Sequence, residues 1–418
     1  MTWTKLHAVA ERYGDAFFLY DEQRFRGNYE SLLTTFRALY PRTEIGYSYK
    51  TNYTPDVCLA VKDAGGYAEV VSDMEYELAR RLGVPGDRII YNGPARSAAS
   101  IERALGDGAI INLDSLRDLN IVENGVQGRA GDPIAIGLRL NFPFEFRDDS
   151  RFGFAWGGDD LAEALARVRR NGSIRLAGLH CHMPDRALHT FEERVVRLLE
   201  AADELFDQPP VYLNVGGGYF GAMPPALLER MGGAATTFED YAGVIAGAMR
   251  RHYANAASTP TLFIEPGTSL VADAFQFVVR VLGVKDVRGR RIATVAGSMF
   301  NVSPYSRLRD LPVSVVRESD HGDVAADAEH GAVDVAGYTC IEGDFLSLAL
   351  PGPVRPGDFL VYDNVGSYSV VMKPPFIMPG VPILAYDERL HTVAVVKEAE
   401  TIDHVFATFP RFRGERHG

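Results

Sequence analysis

The chain has 418 residues, with 43 Lys and Arg against 55 Asp and Glu, a formal net charge of −12 and a 46% hydrophobic share. That length holds two domains with sizeable cores, and the composition is that of an ordinary globular protein. An acidic balance without a basic stripe argues against nucleic acid and against an anionic membrane surface as partners.

The three cysteines, Cys58, Cys181 and Cys340, are too few and too widely spaced for a disulfide framework or a zinc site, which fits a reducing cytoplasm. The N-terminus lacks an apolar signal core, and no apolar run reaches membrane-spanning length.

Phe17-Phe-Leu-Tyr reads as a first strand. From about residue 40 to 270, short apolar runs alternate with amphipathic stretches. The expected strands are 45–49, 67–72, 89–92, 109–113, 134–140, 175–182, 211–215 and 261–265. Helical patterns lie between them at 74–83, 97–105, 159–170, 190–207 and 238–254. In the fourth, Phe191, Val195, Leu198 and Leu199 form an apolar stripe, with Glu and Arg assigned to the other face. Eight strands with intervening helices predict a (β/α)8 TIM barrel, with a doubly wound open sheet as the competing arrangement.

After about 275 the rhythm changes. Runs at 275–282, 291–295, 313–316, 359–362 and 391–396 read as strands separated by turn residues, an all-β domain that the N-terminal strand would join. The expected division is 28–275 for the barrel, and 1–27 with 276–418 for the β-domain.

The residues that carry chemistry gather at the C-terminal ends of the predicted barrel strands. Lys50 closes Ile45-Gly-Tyr-Ser-Tyr-Lys50, aiming an amine at that edge. His180 and His182 end the sixth strand. Two apart, they face one side and suit either a metal or a stacked aromatic group. Asn214-Val-Gly216-Gly217-Gly218 offers backbone N–H groups to a phosphate, or is simply a tight turn. Glu265-Pro-Gly267 puts a carboxylate at a sharp exit from a buried strand, where it needs a partner. A protonated pyridine nitrogen suits it; a barrel arginine such as Arg139 is the alternative. Cys340, in Tyr338-Thr-Cys-Ile-Glu-Gly-Asp344, lies in the β-domain.

Taken in order, Tyr-Ser-Tyr-Lys50, Glu-Val-Val-Ser72, Arg151-Phe-Gly, Gly-Leu-His-Cys-His182, Gly-Gly-Gly218, Glu265-Pro-Gly, Cys340 and Gly366-Ser-Tyr368 resemble the fold-type III pyridoxal-phosphate decarboxylases, the diaminopimelate and ornithine decarboxylase group. The resemblance runs from Phe17 to about Phe376. It implies an alanine racemase-like barrel, a C-terminal β-domain that includes the N-terminal strand, and pyridoxal 5'-phosphate as cofactor. It further implies that Lys50 holds the cofactor covalently, that His182 stacks on its ring, and that Glu265 pairs with the ring nitrogen. Gly217, Gly218 and Tyr368 would hold the phosphate, with Gly267 and Thr268 also cofactor-binding. Cys340 would act as a catalytic acid donated across a homodimer interface into shared active sites.

The sequence departs from that family where substrate is read. The usual His-Ile-Gly-Ser is His182-Met-Pro-Asp185, Glu-Pro-Gly-Arg is Glu265-Pro-Gly-Thr268, and the acid after the cysteine is Ile341. Glu342, on a strand, would face the other way. The expectation is decarboxylation of a non-standard, carboxylate-rich amino acid or conjugate in siderophore or antibiotic biosynthesis, with Arg186, Arg307 and Asp344 as substrate contacts and no metal. The alternatives are a racemase or epimerase on the same barrel, a decarboxylase of diaminopimelate, ornithine or lysine, a non-catalytic regulator, and a metal-dependent hydrolase.

Overall fold

The computed structural model describes residues 1–418 except 129–130, 146–149, 231–235, 303–310, 319–330, 374, 388–391, 411 and 413–418. The chain divides into two compact units. One comprises Arg26–Ala222 and Met231–Leu270, the other Met1–Phe25, Met223–Arg230 and Val271–Gly418.

The first strand, β1 (Ala16–Tyr20), belongs to the second of these units. The other unit carries β2 (Thr43–Ser48), β3 (Tyr67–Val70), β4 (Ile89–Tyr91), β5 (Ile110–Leu113), β6 (Ile134–Asn141), β7 (Phe154–Ala155), β8 (Ile174–His180), β9 (Tyr212–Asn214) and β10 (Thr261–Ile264). They pair in the order β5-β4-β3-β2-β10-β9-β8-β6, and β5 pairs with β6. That last pairing closes eight parallel strands into a barrel and rules out the open sheet. β7 is an extra two-residue strand on β6.

Barrel strands are buried on both faces and so read as short apolar runs; Ile89, Ile90 and Tyr91 are fully buried. The barrel floor is built round Tyr212, which packs with Ile90, Ala177 and Phe263. Gly178 makes room for it, since a Cβ there would meet the Tyr212 ring at 2.5 Å.

Helices wrap this barrel at each predicted segment. Local caps set their starts: Ser72 Oγ accepts from Glu75 N–H, and Thr237 forms a capping box with Asp240. Helices Trp3–Tyr13, Glu22–Leu39, Pro55–Asp63 and Leu116–Gly125 were not anticipated. The second has its signal in Phe25, Tyr29, Leu32 and Phe36, all buried and spaced three or four apart.

The other unit adds β11 (Phe275–Val287), β12 (Arg290–Val295), β13 (Val313–Val316), β14 (Val333–Ala336), β15 (Phe345–Leu350), β16 (Phe359–Tyr362), β17 (Ile383–Asp387) and β18 (Thr392–Lys397). Its path is β15-β14-β12-β11-β1-β17-β18, with β16 between β11 and β13. The N-terminal strand therefore joins this sheet, antiparallel to β11 with Phe18 opposite Phe277. Its alternate residues Phe17 and Leu19 bury against Val278, Phe359 and Leu384. Strands β14, β15 and β17 were not foreseen. Among the described residues, no helix is long and apolar enough to cross a membrane.

Candidate active site

β2 ends at Ser48, and Lys50 sits in the single 3-10 turn Tyr49–Thr51 just beyond it, rather than on the strand itself. Its Nζ donates to Glu69 Oε2 at 2.7 Å and to Ser48 Oγ at 2.5 Å. Ser48 Oγ in turn donates to the same Glu69 oxygen. The β2–β3 register explains this meeting, because Ser48 lies opposite Glu69. Glu69 is buried and Lys50 half-buried, so a carboxylate fixed in the barrel holds an amine that still reaches solvent.

Glu265 follows β10 and is buried. Its Oε1 accepts from Asn92 Nδ2 at 2.8 Å and from Asn214 Nδ2 at 2.7 Å, while Oε2 lies 3.3 Å from His180 Nε2. Burial alone would raise its pKa. The neighbouring charge and hydrogen bond of His180, with Lys50 adding, outweigh that and hold the carboxyl well below its usual range. Arg139 is not its partner; it pairs with Asp114 at 3.4 Å and donates to the His182 carbonyl at 3.4 Å. Among the described residues, no Lys or Arg forms an ion pair with Glu265.

A directed chain of side-chain donors runs beneath these groups. Tyr212 Oη donates to Asn112 Oδ1 at 2.7 Å, and Asn112 Nδ2 donates to Asn92 Oδ1 at 2.8 Å. Asn92 Nδ2 then serves both Glu265 Oε1 and, at 3.0 Å, Glu69 Oε1.

His182 lies two residues past β8. Its Nδ1 accepts the Gly217 N–H at 3.1 Å, so the ring is neutral and its proton is on Nε2. Burial, together with the charges of Arg139, Arg194 and Lys50, pushes its pKa well below the usual imidazole value and agrees with that tautomer. Gly216 and Gly218 adopt left-handed backbone angles of +68° and +111°. A Cβ at Gly217 would meet the Glu265 carbonyl at 2.3 Å, and one at Gly267 would meet Thr51 Oγ1 at 2.1 Å, so both turns pass as close as glycine allows. Thr268 is half-buried and opens the short helix Thr268–Val271. Asp185 Oδ1 accepts the Ala187 N–H at 2.8 Å, and the Arg186 guanidinium lies 5.4 Å from the Phe220 ring centroid. Lys50, His182, Gly217, Gly218, Glu265, Gly267, Thr268, Asp185 and Arg186 all belong to the barrel unit.

Cys340, Asp344 and Tyr368 belong to the β-unit. Cys340, Ile341 and Glu342 are exposed, in a turn between β14 and β15 closed by Asp344 N–H donating to the Ile341 carbonyl at 2.9 Å. The alternation expected of a strand therefore does not apply to Ile341 and Glu342. Asp344 is buried, and its carboxylate accepts from Ser298 Oγ, Met299 N–H, Thr339 N–H and Thr339 Oγ1. It anchors this turn. Tyr368 has a φ of +62°, a left-handed conformation uncommon for a residue with a side chain. Arg307 lies outside the described residues.

Four residues of the barrel site were missed as site members: Glu69, Asn92, Asn214 and Arg194. Arg194 corrects the reading of helix Leu188–Leu205, where arginine was put on the polar face; it is fully buried. Its signal was the spacing, three after Phe191 and four before Leu198, which places it in the apolar stripe. The amides carried no comparable signal, because isolated asparagines on strand ends are common in turns.

An amine held on a fixed anion, a buried carboxylate open to a cationic partner, and a glycine turn suit an aldehyde, a basic ring nitrogen and a phosphate in that order. The comparisons with known proteins agree. Residues 26–272 match the model of the pyridoxal-dependent decarboxylase family, pyridoxal binding domain. The chain is 28% identical over 417 residues to a diaminopimelate decarboxylase of Actinosynnema pretiosum subsp. auranticum, covering 94% of this chain and 88% of that one. It shares its fold with diaminopimelate decarboxylase from Helicobacter pylori complexed with L-lysine (TM-score 0.80, 21% identity, 98% and 99% of the two chains). The same fold occurs in lysine/ornithine decarboxylase complexed with putrescine from Vibrio vulnificus (TM-score 0.73, 18% identity, 92% and 98%). The chain belongs to the pyridoxal-dependent decarboxylases: it is an amino-acid carboxy-lyase that uses pyridoxal phosphate.

Proposed function

We propose that Lys50 bonds the cofactor aldehyde, Glu265 pairs with the ring nitrogen, His182 lies against the ring, Gly217, Gly218 and Tyr368 receive the phosphate, and Gly267 and Thr268 also line the cofactor. The observation that carries this reading is the Asn92 amide, which ties the carboxylate beside Lys50 to the carboxylate of Glu265. When bound, pyridoxal phosphate supplies an electron sink for the pair left on the substrate's Cα as carbon dioxide departs. Glu265 keeps its negative charge because two amides and His180 stabilise it, so it favours a protonated partner. Glu69 and Ser48 orient the Lys50 amine. His182, neutral and fixed by Gly217, offers a ring face.

Cys340 supplies the returning proton from Sγ, in a homodimer whose two copies exchange this turn. Its exposure supports that role. Ile341, Phe376, Ile377 and Met378 of the same unit are exposed too, and apolar surface of this kind suits a subunit contact. The unpaired thiols of all three cysteines fit the cytoplasm.

For the substrate we propose a non-standard, carboxylate-rich amino acid or conjugate of siderophore or antibiotic biosynthesis, with Arg186 and Arg307 as its anion contacts. Ile341 supports this, because it offers no charge to a distal ammonium. The second reading, a decarboxylase of diaminopimelate, ornithine or lysine, is favoured by the names of the full-length relatives. One experiment tests both. The cofactor-loaded enzyme without substrate is reduced with borohydride, which fixes the cofactor to the lysine that holds it, and the labelled peptide is mapped by mass spectrometry; carbon dioxide release is measured separately with each candidate amine. Capture on Lys50 with release only from the carboxylate-rich conjugates is the expected result. Efficient release from free ornithine or lysine refutes the specialised substrate, and capture on another lysine refutes the assignment of Lys50.

A further inference from the structure

Arg194 is the least explained charge in the barrel unit. It is fully buried, and among the described residues no carboxylate lies within ion-pair distance of its guanidinium. Four backbone carbonyls surround it instead. Nη1 donates to Val215 O at 3.0 Å and Gly217 O at 3.1 Å; Nη2 donates to Met183 O and Asp185 O, both at 3.3 Å. The cation also lies 4.1 Å from the Phe191 ring centroid. It thus ties the segment after β8 to the glycine turn after β9.

The orientation of these carbonyls matters. In a trans peptide the C=O and the following N–H point in opposite directions. With Gly217 O turned to Arg194, the Gly218 N–H points away from it, and among the described residues that N–H has no acceptor. The Gly216 N–H is taken by Asn214 Oδ1 at 2.9 Å and the Gly217 N–H by His182. Gly218 is half-buried, so its N–H is a donor of the turn placed to meet a ligand. A buried cation without a counter-anion is costly, and a bound anion nearby offsets that cost.

We propose that Arg194 is the positioning residue for the cofactor phosphate: it turns the glycine-loop carbonyls to its own side, leaves the Gly218 N–H facing the anion, and supplies positive charge from behind the loop. This rests on the pyridoxal-phosphate site proposed above. It accounts for a phosphate end at which Asp185 and Thr268 stand where the related enzymes carry a serine and an arginine. Arg194 touches neither the reacting atoms nor, by this reading, the phosphate itself.

The test is equilibrium titration of the full-length, cofactor-free protein with pyridoxal phosphate and with pyridoxal, which carries the same aldehyde and ring without the phosphate. Wild type, Arg194→Met and Arg194→Lys are compared through the visible band formed on Lys50. Losing hydrogen bonds from a charged donor predicts that Arg194→Met weakens pyridoxal phosphate by about 10- to 100-fold and leaves pyridoxal unchanged. Arg194→Lys, which keeps the charge but has fewer donors, should fall between. Pyridoxal binding also reports whether each variant is folded. If Met destroys the fold, the Lys variant decides: selective loss of the phosphorylated form supports the proposal. Equal weakening of both ligands, or no change in either, overturns it. If wild type forms no band with either ligand, it is the cofactor-site reading that fails.

Discussion

Glu69 and Glu265 share one donor: the Asn92 amide reaches Glu69 Oε1 at 3.0 Å and Glu265 Oε1 at 2.8 Å. The two carboxylates come from different strand ends and have different partners, Lys50 for one and His180 for the other. An amide that cannot ionise bridges the two without adding a third charge to a buried site. Replacing it by a third carboxylate should be felt strongly. In Asn92→Asp the new group is crowded by two anions, so its folded pKa rises above the unfolded value of about 3.9. The stability loss should therefore be absent well below the unfolded value, grow as pH rises from there to the folded pKa, and level off above it. Thermal melts of wild type and variant from pH 4 to pH 8 check this; a pH-independent difference would contradict it.

Glu75 gives a second pH signature. It is buried in the first turn of helix Asp73–Arg81, with Oε2 accepting the Val71 N–H at 2.7 Å. Burial first, and the Glu69 charge second, push its pKa from 4.5 to about 7. Below pH 4.5 the carboxyl is neutral in both states and costs nothing. Between that pH and about 7 the unfolded chain loses the proton first, and stability falls. Above it the loss levels off at roughly 3 kcal/mol. Glu75→Gln keeps the acceptor without the charge. It should melt higher than wild type at pH 8 and match it near pH 4.

Glu265→Gln removes the anion while preserving shape. The variant should still form the visible band of the bound cofactor. Its kcat should drop by about 10²- to 10³-fold, the scale for losing one preorganised electrostatic group. Spectra and single-turnover carbon dioxide release, measured on the same preparation, separate binding from chemistry.

Arg96 and Asp118 form a pair of different purpose. Nη2 donates to Asp118 Oδ2 at 2.7 Å and both side chains are buried, while the same arginine donates to the Tyr91 and Asn112 carbonyls at 2.7 and 3.0 Å. The cluster pins the ends of β4 and β5 that carry the amide chain. Asp118→Ala leaves a buried cation short of its partner and should cost about 3–5 kcal/mol. Urea unfolding with an unchanged m-value would show that the loss is one of native stability.

Ile341 tests the substrate assignment. If its side chain lies where a distal ammonium would need an acid, Ile341→Asp should raise kcat/KM for lysine or ornithine by about tenfold or more, the value of one charge-assisted contact. A variant as poor as wild type with both diamino acids would move substrate recognition away from this turn.

Much of the architecture was determined by sequence alone. Strands buried on both faces must be nearly continuous apolar runs, so all eight barrel strands were legible, as were the helices with a clean stripe such as Leu188–Leu205. The chemistry-bearing types at strand ends, Lys50, His182 and Glu265, could be named from motif order. Tertiary structure decided what they touch. Whether eight strands close or stay open depends on one pairing, β5 with β6, between residues with no local mark of it. The counterion of Lys50 comes from a neighbouring strand through the β2–β3 register, and the donors to Glu265 come from residues 173 and 51 positions away. Hydrogen bonds over such separations leave no periodicity, because only the folded barrel brings their strand ends to one rim. Arg194 lies between the two cases: its helical spacing points to the apolar stripe although arginine as a residue type was assigned to the polar face, and only the carbonyls gathered around it explain how a charge is tolerated there.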